Sequence, residues 1–166
     1  MTVDNFISAL IDQGWQIEIR DRLSFSSNVL QTREDSIPDS YKEFLSKVAS
    51  CRNSDNNVWF LCEDDFEGKT DSAFVWNDFK LQSLESAKED TDLIARIQDF
   101  WNKHFIILIS VKNCYEYLAL SLQENEKGAV VHGNEPEYEE IRKVCNSFDE
   151  LMELMTGKRS NNLPLH

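Results

Sequence analysis

The tightest constraint on the fold lies between residues 105 and 122. Two apolar runs, Phe105 to Val111 and Tyr115 to Leu122, are separated only by Lys112-Asn113-Cys114. A link this short joins antiparallel neighbours, because parallel strands need a crossover of a dozen residues or more. The centre of the chain is therefore an antiparallel hairpin. Val58-Trp59-Phe60-Leu61-Cys62 is a continuous apolar run with β-branched and aromatic members, the pattern of a strand covered on both faces. Ala129 to His132, after a polar turn through Gly128, reads as a third strand beside the hairpin. Two further strands are expected. Trp15, Ile17 and Ile19 alternate with polar residues, which puts the three on one face, and Ala73-Phe74-Val75-Trp76 is a second aromatic run.

Helices must cover such a sheet, and the spacing predicts them. Val3, Phe6, Ile7, Leu10 and Ile11 form a stripe that ends at Gly14. Pro38 suits the start of a helix whose buried side is Tyr41, Phe44, Leu45 and Val48, stopped by the polar stretch Arg52 to Asn57. Leu81 to Trp101 is helical with a break near Asp90, and its clearest stripe is Leu93, Ile94, Ile97, Phe100 and Trp101. Asn134 with Glu137 and Ser147 with Glu150 both have the capping-box spacing, so both are expected to begin helices. The second of these buries Phe148, Leu151, Met152 and Met155 and stops at Gly157. Residues 21–36 read as a loop with a helical turn, and the acidic stretch 63–68 as a solvated loop. The fold class is α+β: a single domain over residues 1–157, with a mostly antiparallel central sheet, helices packed at its N- and C-terminal ends, and a flexible tail over 158–166.

Composition agrees with one globular unit. A chain of 166 residues can remove roughly 70% of its unfolded surface from water, so neither disulfides nor metal are needed to hold it. The 4 Trp, 4 Tyr and 10 Phe recur in clusters, which argues against intrinsic disorder. The longest aliphatic and aromatic run, Phe105 to Ile109, is too short for a helix to cross a bilayer. No basic-then-apolar leader opens the sequence, and Cys51, Cys62, Cys114 and Cys145 show no CxxC spacing, so a cytoplasmic protein with reduced thiols is expected.

The chemistry that the residues exclude is broad. His104, His132 and His166 are scattered, and no zinc spacing or other metal site is expected. Cys145 with His132 as nucleophile and base would need the fold to join them, and a cysteine at a helix junction is more simply a small packed residue. GxSxG, GxxxxGK[ST] and GxGxxG are all missing, so no nucleotide cofactor is expected.

Charge is the surface feature with leverage. The formal net charge is −13, which opposes contact with nucleic acid phosphates or an anionic bilayer and favours a basic partner. It is concentrated in two places. Glu63, Asp64, Asp65 and Glu67 put four carboxylates in five residues, and Glu135, Glu137, Glu139 and Glu140 put four in six. A solvated acidic face would explain both without a partner. Crowded like charges are also relieved by a cationic partner, so these eight residues are the candidate partner contacts.

The order of landmarks resembles one family. Ile37-Pro38-Asp39-Ser40-Tyr41-Lys42-Glu43-Phe44-Leu45 is similar to the signature helix of the Smi and Knr cell-wall regulator homology family of the SUKH superfamily: an aliphatic residue, Pro, two variable positions, Tyr, then Phe-Leu. Val58 to Leu61, the hairpin from Phe105 to Leu120, and Ser147-Phe148-Asp149-Glu150-Leu151 resemble the family's next strand, central hairpin and closing helix. The resemblance spans residues 33 to 155. One departure is the stretch Ala49-Ser50-Cys51-Arg52-Asn53, read as the turn after the signature helix, which lacks the glycine common in relatives.

The resemblance implies a binding protein, not an enzyme. Pro38, Tyr41, Phe44, Leu45 and Phe148 would be scaffold, and there are no shared catalytic residues to carry over. The leading expectation is an immunity protein that neutralises a toxin, best a basic nuclease, by direct contact. The alternatives are a regulatory or scaffold module for another cellular protein, and a hydrolase using paired carboxylates.

Overall fold

The computed structural model describes residues 1–22, 24–72 and 74–158. In chain order the regular elements are α1 (Val3–Asp12), β1 (Gln16–Ile19), α2 (Asn28–Gln31), α3 (Asp39–Lys47), β2 (Val48–Arg52), β3 (Val58–Phe60), α4 (Glu63–Phe66), α5 (Asp78–Ala87), α6 (Thr91–Asn102), β4 (His104–Ser110), β5 (Glu116–Ser121), β6 (Val130–Asn134), β7 (Arg142–Cys145) and α7 (Phe148–Met155). The strands form one sheet in sequence order, each pair antiparallel, so the expected α+β fold with a central antiparallel sheet is what forms. Residues 159–166, most of the expected tail, lie outside the described residues.

Register assigns the two faces. Phe60, Leu108, Leu118 and His132 form one row across β3 to β6, and Trp59, Ile109, Tyr117 and Gly133 form the adjacent row, which points to the other face. Helices from the two chain ends cover the first face. There Phe6 of α1, Phe44 of α3 and Phe148 of α7 meet Phe60 in edge-on and tilted contacts. Each fully buried phenylalanine contributes about 1.5–3 kcal/mol of apolar transfer. Tyr41 donates its phenol hydrogen to the Leu61 carbonyl at 2.9 Å, and Ser40 ties α3 to α7 through Asp149 at 2.8 Å. The mid-chain helices α5 and α6 cover the second face, with Phe79 and Trp101 packed on Tyr117.

Several local expectations change, among them the acidic loop at 63–68, which forms the helical turn α4. The signature helix ends at Lys47, and Val48 adopts extended backbone and opens β2, where a continued helix was expected. Pairing with β1 and β3 outweighs the local helical spacing here. The turn therefore lies four residues later than read. Asn53 Oδ1 accepts from the N–H groups of Asn57 and Val58, and Asn56 takes a left-handed φ of 54°, so asparagines fill the role expected of glycine.

The second aromatic run is not a strand: residues 74–77 form a bend and a turn, and Ala73 lies outside the described residues. Residues 74–77 pair with no strand of the sheet. Their rings plug the core's rim instead, Phe74 against Phe79 and Tyr115, Trp76 against Phe66. Asn134 does not cap a helix. It ends β6, donates to the Glu135 carbonyl, and is followed by a turn and by β7. The Ser147 cap does form, its hydroxyl accepting from Glu150 N–H. Finally, β1 is an edge strand with an irregular register at Ile19, which leaves that side chain 59% exposed although Ile17 is half-buried.

Candidate functional site

The first acidic stretch is a short helix, α4, and its carboxylates divide sharply. Glu63 has no solvent exposure. Its two oxygens accept from Arg20 at 2.9 Å, Arg22 at 2.8 Å, the main-chain N–H of Ser26 and Ser27, and the Ser26 hydroxyl. Burial pushes its carboxyl up, but the bonds from Ser26 and Ser27 and the charge of Arg20 outweigh that and hold it below the usual glutamate value. Asp65 caps α4 by accepting from Cys62 N–H at 2.8 Å and also accepts from the Thr70 hydroxyl. Here burial wins, and the Asp65 carboxyl is raised. Glu63 and Asp65 thus fasten the 20–27 and 70–72 segments to α4, and in this fold neither presents a charge to a partner. Asp64 reaches solvent 3.9 Å from Arg20, whereas Glu67 is largely covered, accepting from the Ser26 hydroxyl at 3.2 Å and paired with Lys69.

The second acidic stretch connects β6 to β7 and is anchored from below. Tyr117 donates its phenol hydrogen to the Tyr138 carbonyl, and Tyr138 in turn donates to Gln82 of α5 at 3.0 Å. Desolvation pushes the Tyr138 phenol up to about 12, so it stays a donor at physiological pH. Trp101 of α6 donates its indole N–H to Glu139 at 2.7 Å, and the Tyr115 and Glu135 backbones are joined by the Glu135 N–H at 2.9 Å. A bond from Glu140 N–H to the Glu137 carbonyl closes a turn between the two most exposed glutamates. The stretch is therefore a braced ridge. Between it and helices α5 and α6 lies a groove of about 580 Å³, bordered by all four glutamates. Beside Tyr115 stands an apolar edge, its ring 4.7 Å from that of Phe74, with Val75 39% exposed next to it.

Cys145 and His132 lie on the paired strands β7 and β6. Cys145 is buried with its thiol against the Ser147 carbonyl at 3.3 Å. His132 instead sits 3.7 Å from Glu116, both almost fully buried on the face they share with Leu118. His104 stacks on Phe100, and its Nδ1 lies 2.8 Å from the Phe100 carbonyl; burial lowers its pKa. His166 lies outside the described residues. Among the described residues no group of three or more His, Cys, Asp or Glu side chains is placed to hold a metal ion, and no helix is long and apolar enough to cross a membrane.

The elements that build this architecture, from the signature helix through the closing one, coincide with a known family. Residues 32–154 match the family model described as SMI1 / KNR4 family (SUKH-1). The chain belongs to the SMI1/KNR4 family. No curated protein and no solved structure shows significant similarity to it. The match begins just before α3 and ends within α7, so the shared SMI1/KNR4 region contains β2 to β7 and the whole groove, while α1 and β1 stand before it. The positions that carried the resemblance are scaffold here: Tyr41, Phe44, Leu45 and Phe148 have no exposed surface.

Sequence reasoning missed the groove itself. Leu93 and Ile97 read as part of a core stripe, and they do face inward, but they also line the groove on its α6 side. No signal within residues 134–140 announces that Tyr138 and Glu139 are tied to α5 and α6.

Proposed function

We propose that this SMI1/KNR4 protein is an immunity protein, a non-catalytic binder that neutralises a basic toxin domain by direct contact. The observation that carries the reading is the braced ridge at 135–140. Its exposed carboxylates, Glu137 and Glu140, sit on a connection fixed by Tyr117, Tyr138 and Trp101, in a chain of net charge −13. A charged surface that is already ordered loses little freedom on binding and steers a basic partner toward it. Asp64, 40% exposed, adds to the field that a cation meets. Glu63 and Asp65, tied to Arg20, Arg22 and Thr70, serve the scaffold.

The test is co-expression with the polypeptide encoded beside this chain's gene, followed by capture at low and high salt. The reading expects a basic toxin domain to be retained and inactivated, with retention falling as salt rises. A neighbouring protein that has no toxicity, or a toxin that stays active in the presence of this chain, would overturn it.

A further inference from the structure

We propose, resting on the binding reading above, that the groove between α5, α6 and the 135–140 ridge receives an arginine side chain presented by the partner. The most deeply buried residues lining the groove are apolar or aromatic, beside half-buried Gln82 and Ser83. Ala87 and Ile97 are buried, Leu93 is half-buried, and Pro136 closes the opposite wall. Its outer edge is anionic, with Glu137 and Glu140 exposed and Glu135 half-buried. A chain that is apolar along its length and cationic at its tip matches that order, which is the build of lysine and arginine.

Arginine fits better than lysine. The backbones of Glu137 and Glu140 are joined by the Glu140 N–H to Glu137 carbonyl bond, so both side chains leave one turn, and a planar guanidinium with five donors can serve two carboxylates at once, whereas an ammonium acts as a point charge. The guanidinium is also the more weakly hydrated cation, so it leaves water more readily to lie beside Leu93 and Tyr138. Glu139 is already engaged by Trp101, which leaves the turn pair as the principal acceptors. A second copy of this chain is a poor occupant, because each copy carries a charge of −13 and brings the same acidic face. Nucleic acid is excluded by the same sign. Arg96 is the one cation among the described residues that line the groove, and it would repel the incoming guanidinium.

The probes are acetylated, amidated hexa-arginine and hexa-lysine peptides titrated into the isotope-labelled full chain and followed by amide chemical shifts. Shifts confined to residues 82–97 and 134–140 are expected, with hexa-arginine the tighter ligand. The pair of substitutions E137K and E140K should weaken hexa-arginine by about tenfold or more, and R96A should tighten it by a few-fold. S86W is the decisive variant, because it fills the groove from the exposed side of α5 without changing charge; it should weaken the peptide by about tenfold. Each variant is checked for a native amide spectrum. Equal affinity for the two peptides, shifts centred elsewhere, or full binding by S86W would overturn the arginine socket. A toxin that binds S86W as tightly as the parent chain would also overturn the socket while leaving the immunity reading intact. Peptide binding as expected with no toxin partner would do the reverse.

Discussion

The ring of Tyr117 lies across the backbone of Gly133 on the neighbouring strand. The two are register partners of β5 and β6, and a Cβ at position 133 would stand 2.3 Å from the Tyr117 hydroxyl oxygen and 2.4 Å from the ring carbon that bears it. Glycine is therefore required by close approach, not by backbone angle. Through this gap the Tyr117 hydroxyl reaches the Tyr138 carbonyl and so fixes the acidic ridge. Core packing of the sheet and order in the acidic ridge share one contact.

Replacing Gly133 by Ala is expected to destabilise the protein by about 2–4 kcal/mol, because the clash falls on a buried ring with no room to retreat. Chemical denaturation measures it. Adding Y117L to G133A should recover part of that loss, whereas additivity of the two substitutions would show that they do not meet.

Y117F keeps the ring and removes only the donor to the Tyr138 carbonyl. The expected loss is about 1–1.5 kcal/mol, and amide exchange should quicken at residues 135–140 while the rest of the sheet stays protected. Unchanged exchange there would mean that the ridge is held by other contacts.

Glu63 should behave as a buried keystone. E63A leaves Arg20, Arg22 and the Ser26 and Ser27 N–H groups facing a missing acceptor, and a loss of about 3–5 kcal/mol is expected. The carboxyl titrates lower in the folded chain than in the unfolded one. Its contribution is therefore complete above the ordinary glutamate value of about 4.3 and is lost as pH falls through the lower folded value. Thermal melts of the parent and E63Q between pH 3 and pH 7 should converge at the acid end.

Asp65 has the opposite sign. Its folded carboxyl is raised by burial, so ionisation costs stability as pH rises through that value. D65N can accept from Cys62 N–H through its oxygen and donate to the Thr70 and Ser72 hydroxyls through its nitrogen. Its stability at pH 7 should equal or exceed that of the parent, while D65A should fall by about 1–3 kcal/mol. A D65N loss as large as that of D65A would show that the charge itself is needed.

Much of the fold was legible in the sequence because its signals are long. The runs flanking Lys112-Asn113-Cys114 could only pair with each other, and the Tyr41, Phe44 and Leu45 stripe could only face a core. Short signals misled. The Asn134 and Glu137 spacing was overridden by pairing of β6 with β5, and the rings of the run at Phe74 pack on Phe79 and Tyr115 at the core's rim instead of forming a strand. Charge clusters showed where carboxylates are dense but not which are solvated. Glu63 and Glu137 look alike in sequence, and only the arrival of Arg20, Arg22 and Ser26 from a distant loop removes the first from the surface. The groove depends on α5 and α6 meeting residues 135–140, contacts between parts of the chain that no local pattern encodes.

On the proposed function, the 135–140 ridge, and not the acidic helix at 63–67, is the face that meets a basic partner. The most direct measurement is the affinity of the neighbouring toxin domain for three proteins: the parent, the double variant E137K and E140K, and the double variant D64K and E67K. The account predicts a loss of about a hundredfold for the first double variant, with a shallower salt dependence, and a change of only a few-fold for the second. Equal affinity of the parent and the E137K and E140K variant would contradict it.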